Sequence, residues 1–71
     1  MKITRDELGI RFTYHAPKTN QPERYVTLRD MAHSLATTIL EMTPESREQS
    51  LAITSLEEAV MWANAAIARR E

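Results

Sequence analysis

Apolar residues recur at helical spacing through the C-terminal two thirds of this chain and lose that regularity before it. Leu28, Met31, Ala32, Leu35, Ala36, Ile39 and Leu40 fall at spacings of three and four, one stripe of an amphipathic helix. Arg29, Asp30, His33, Ser34, Thr37 and Glu41 take the opposite face. Thr27 offers a capping hydroxyl and Asp30 suits the positive end of the dipole, so the pattern predicts a first helix over 27–42. Thr43-Pro44 stops it, because the residue before proline avoids the α region. A second helix follows over 44–70, entered either through a Thr43 cap with Pro44 at the first helical position or through a Ser46–Gln49 capping box.

The two halves of that second helix differ. Leu51, Ala52, Ile53, Leu56 and Val60 oppose Glu48, Ser50, Glu57 and Glu58, whereas from Ala59 to Ala68 only Asn64 is polar. One neighbouring helix covers Val60, Ala63 and Ile67 and leaves Met61, Trp62, Ala65 and Ala66 bare. Residues 1–26 read as an arm and loop. Thr4 caps a turn through Leu8 that Gly9 ends, Ile10 to Tyr14 alternate like an extended strand, and His15 to Pro22 form a loop. The fold class is therefore mainly α: one domain over 1–71, an antiparallel two-helix hairpin with an extended or irregular N-terminal arm. Either a second protomer or the arm itself, through Phe12 and Tyr14, covers the bare patch.

Composition sharpens this choice. A chain of 71 residues with no cysteine builds a thin core and has no disulfide to staple it. Oligomerisation remains as the staple, and a symmetric homo-oligomer is expected. The net charge of -1 argues against a general DNA or RNA binder. No run is apolar enough to span a membrane and no leader is visible at the start, so a cytoplasmic location is expected. His15 and His33 make a poor metal set, no cofactor loop is present, and no nucleophile stands beside a base. An enzyme is not expected.

Binding chemistry finds more support. Arg24, Arg29, Arg47, Arg69 and Arg70 lie near the proposed helix ends, and a guanidinium fork matches a phosphate. Tyr14 and Tyr25 offer rings on which a base can stack. Against this, Arg69 and Arg70 also complement the dipole of the second helix. Asn64 is an isolated amide in an apolar decade, placed either to fix helix register at an interface or to bond a ligand there.

The strings Thr43-Pro44-Glu45-Ser46-Arg47-Glu48 and Trp62-Ala63-Asn64-Ala65-Ala66-Ile67-Ala68-Arg69 resemble the hairpin domain of phage anti-CBASS and anti-Thoeris sponge proteins. Phe12-x-Tyr14 with Pro17, and Arg24-Tyr25 before Leu28-Arg29, resemble it also. The resemblance implies a homohexamer that sequesters cyclic nucleotide messengers without cleaving them, inside an infected bacterium. It points nearer the anti-CBASS type, with cyclic dinucleotides such as cGAMP as ligands and cyclic trinucleotides at separate pockets. The alternatives are a cyclic ADP-ribose isomer taken against Thoeris, or a small helical adaptor for a host protein. By the same resemblance Tyr14 stacks on a base, Arg24 or Arg29 contacts phosphate, and Arg69 or Arg70 gathers phosphates in a second pocket.

Overall fold

The computed structural model describes residues 2–71, which form three helices in the order α1 (Arg5–Arg11), α2 (Gln21–Met42) and α3 (Arg47–Arg70), with no strand among them. Helices α2 and α3 pack antiparallel as the hairpin. Leu28, Ala32, Ala36 and Ile39 of α2 are half-buried, and so are Ile53, Leu56, Val60, Ala63 and Ile67 of α3. Both sets repeat at three and four, so each helix turns one narrow stripe to the other.

Four local readings are corrected. Ile10 and Arg11 belong to α1 and not to a strand. The Thr4 hydroxyl accepts from the Glu7 amide at 3.1 Å, and Glu7 pairs with Arg11 one turn on, which favours helix where no second strand offers a ladder. Gly9 sits inside α1 without a positive φ, so it does not act as the stop. Helix α2 starts at Gln21, well over one turn before Thr27. Pro22 occupies the first turn, where a missing amide proton is no loss, and Thr27 bonds back to the Glu23 carbonyl at 3.0 Å instead of capping. Helix α3 starts at Arg47, beyond Pro44, because Ser46 accepts from the Gln49 amide at 3.1 Å. The Gln49 side chain donates to Thr43, and its carbonyl oxygen accepts nothing from the Ser46 amide, so the reciprocal half of a capping box is missing.

The C-terminal end is clasped to the start of α2. Gln21, at 2% exposure the one fully buried residue among those described, accepts from the Lys18 amide and donates to the Ile67 carbonyl and to Glu71. Arg24 grips the Glu71 carboxylate with both terminal nitrogens, one at 2.8 Å. The Arg24 guanidinium, helped by the Gln21 amide, holds the Glu71 carboxyl down at about 2. A carboxyl with a depressed folded value stabilises the fold fully above its ordinary pKa near 4.5 and loses that contribution as pH falls toward 2. Glu71→Gln should therefore lower stability at neutral pH, approach the parent as pH falls toward 2, and so flatten the acid side of a circular-dichroism stability profile in that window.

No apolar residue among those described is fully buried. The accessible surface is 5916 Å², whereas a folded monomer of 8.2 kDa is expected near 4,500 Å². The radius of gyration is 15.4 Å against roughly 11 Å for a compact chain of this length. As the patterning of α3 implies, Trp62 and Met61 are each 63% exposed. The N-terminal segment does not close over them: Phe12 is 84% exposed, and an open groove of about 560 Å³ separates Ile3, Leu8 and Phe12 from Trp62, Ala65 and Ala66.

Candidate functional site

A second groove, of about 520 Å³, forms where the loop after α1 crosses the ends of the hairpin. Helix α2 contributes Tyr25 and Arg29, one turn apart on one face. Helix α3 contributes Asn64 and Arg69, with Ala65 and Ala68 as a floor whose small side chains leave the space open. Arg11, the last residue of α1, and the loop residues Thr13, Tyr14 and His15 complete the wall. The His15 Nε2 donates to the Ile10 carbonyl at 2.7 Å, which fixes the loop against the end of α1.

The electrostatics of this lining are one-sided. Three guanidinium groups, a histidine and two phenols face a groove to which no carboxylate belongs, in a chain whose net charge is -1. Arg29 and Arg69 make no ion pair or side-chain hydrogen bond among the described residues. Arg29 and Arg69, gathered in one groove without counter-charges, repel, and an anion placed between them relieves that repulsion. Tyr14 is 83% exposed, so its ring is free to receive a planar group. Asn64 keeps its Oδ1 buried with no hydrogen-bond partner, an arrangement that costs about 1–3 kcal/mol until the amide turns to a ligand or a neighbouring chain.

Of the residues singled out in the sequence, Tyr14, Arg29, Asn64 and Arg69 meet in this groove, and Tyr25 joins them. Arg24 and Arg70 do not. Arg24 is held by Glu71, and Arg70 donates to Glu7 at 2.8 and 2.9 Å along the apolar groove beside Trp62. Arg47 starts α3 and lines neither groove. Tyr14 and Arg69, expected in separate pockets, line one groove within the single chain, because the last turn of α3 lies beside the loop that carries Tyr14. Arg11 and Thr13 were missed. The Glu7–Arg11 spacing of four was the available signal, since it marks one helix face.

The family model described as Acb2/Tad1, hairpin domain, matches residues 5–68 of the chain. No curated protein and no solved structure matches it.

Proposed function

The chain belongs to the Acb2/Tad1 hairpin-domain family, the anti-CBASS and anti-Thoeris sponges, and on that premise we propose that it sequesters cyclic oligonucleotide messengers and releases them intact. The observation that carries this reading is the carboxylate-free groove shared by Tyr14, Tyr25, Arg11, Arg29 and Arg69. A cyclic dinucleotide needs a stacking face for each base and a cationic contact for each phosphodiester, and the groove supplies both types of group. By lowering free messenger, the phage protein keeps a CBASS effector from being activated. The ligand class taken first is the cyclic dinucleotide, with cyclic trinucleotides next.

The working form in this reading is a symmetric homo-oligomer, a hexamer by family resemblance. The uncovered apolar surface of α3 supports it, because leaving that area in water forfeits about 25 cal/mol for each Å². Purified protein mixed with cGAMP and then stripped of free ligand should carry nucleotide. Heating should return it unchanged on chromatography. Recovery of linear fragments would make the protein an enzyme. Failure to retain any member of a panel of cyclic di- and trinucleotides and cyclic ADP-ribose isomers would defeat the sponge reading and leave an adaptor that uses the Trp62 face.

A further inference from the structure

We propose that Arg11 is a phosphate-contacting residue of the Tyr14 groove and that Glu7 is the residue that positions it, an assignment resting on the messenger-binding reading above. Arg11 lies at the C-terminal end of α1, where it lines both the Tyr14 groove and the apolar groove beside Trp62. Its Nε donates to Glu7 Oε2 at 3.2 Å. That leaves the two terminal nitrogens without a carboxylate among the described residues. A guanidinium anchored through Nε presents its remaining pair as a fork, the geometry that grips the two free oxygens of a phosphodiester.

Glu7 is itself held. Its side chain is 17% exposed, and both carboxylate oxygens accept from Arg70 Nη2 at 2.9 and 2.8 Å. The Arg70 and then the Arg11 hydrogen bonds keep its carboxyl below the usual carboxylate range, so the anchor stays charged at neutral pH. One carboxylate thus ties the end of α3 to α1 and orients a side chain at the groove. Arg11 then stands beside Arg29 and Arg69 as a third guanidinium, one that the ligand meets already oriented.

Charge alone predicts the opposite effect for Glu7. A carboxylate next to an anion site repels the ligand, so its neutralisation should tighten binding. Positioning predicts that Glu7→Gln weakens binding, and that it does so only while Arg11 is present. The test is calorimetry with cyclic di-AMP on the parent, Arg11→Ala, Glu7→Gln and the double variant, with oligomer mass measured for each. Arg11→Ala should lose about ten- to a hundredfold in affinity. Arg11→Lys should recover little of this, because an ammonium keeps the charge and lacks the fork. Glu7→Gln should weaken binding several-fold in the parent and leave it unchanged or tighter in the Arg11→Ala background.

Tighter binding by Glu7→Gln in the parent would overturn the assignment. So would equal weakening in both backgrounds, which a purely structural staple through Arg70 produces, or parent-like affinity in Arg11→Ala. If the parent retains no cyclic nucleotide, the same variants are titrated with inorganic pyrophosphate. Pyrophosphate binding that Arg11→Ala removes keeps Arg11 as the anion contact while the messenger reading falls. No pyrophosphate binding overturns both.

Discussion

Trp62→Glu is expected to break the proposed homo-oligomer, leaving a chain that scatters light as a monomer near 8.2 kDa or fails to fold, while the parent should run at a multiple of that mass. Trp62 lies on the side of α3 turned away from α2, 63% exposed, with its indole N–H donated to Glu58 at 3.2 Å. The ring's flat apolar faces are therefore available to another chain. Area sets the scale of the effect. Each chain exposes roughly 1,400 Å² more than a folded monomer of its mass should, and a stable interface takes about 800 Å² from each partner. The excess is enough for more than one such contact. Placing a carboxylate at its centre buries an unpaired charge, which costs several kcal/mol in each copy of the interface. Trp62→Phe keeps an apolar ring and should hold the parent mass. A parent that stays monomeric at micromolar concentration would overturn the assembly.

What the sequence disclosed and what it hid follow one physical division. The α2–α3 pairing was legible because its stripe repeats over about three turns of α2 and about four of α3, so no single residue could mislead. The exposure of Trp62 was legible for a related reason: a helix that is apolar all round cannot be covered by one partner. The start of α2 was hidden because Pro22 carries two meanings, breaker inside a helix and favoured residue in its first turn, and only the chain around it decides. Gly9 misled in the same way, since a glycine stops a helix only when it takes a positive φ. The groove was half legible. Tyr14, Arg29, Asn64 and Arg69 could be named by chemistry, but their meeting depends on a loop whose path no periodicity encodes. Arg24 shows the complementary limit. Its type suited phosphate as well as Arg29 did, and Glu71, 47 positions away, holds it instead.

That difference between bound and unbound arginines leads to the largest effect expected on ligand affinity. Replacing Arg29 and Arg69 together by alanine should weaken cyclic dinucleotide binding by about two to four orders of magnitude, because each charge-assisted contact is worth about 1.5–3 kcal/mol. Neither guanidinium has a protein counter-charge among the described residues, so no internal salt bridge must break before it meets a phosphate. Arg24→Ala should instead leave affinity within about threefold, since a contact to phosphate would first have to displace a bidentate grip on Glu71. Its cost should appear in stability, through the loosened clasp at Gln21. Tyr14→Ala falls between, at about 1–3 kcal/mol for one stacked base. Because Tyr14 and Arg69 border the same groove, losing either should impair the same ligand. Calorimetry with one dinucleotide and one trinucleotide on the four variants tests the set. A double variant that binds within tenfold of the parent, with its oligomer mass intact, would move the phosphate contacts to another face of the hairpin. Selective loss of trinucleotide binding in Arg69→Ala alone would return Arg69 to a second, separate pocket made between chains.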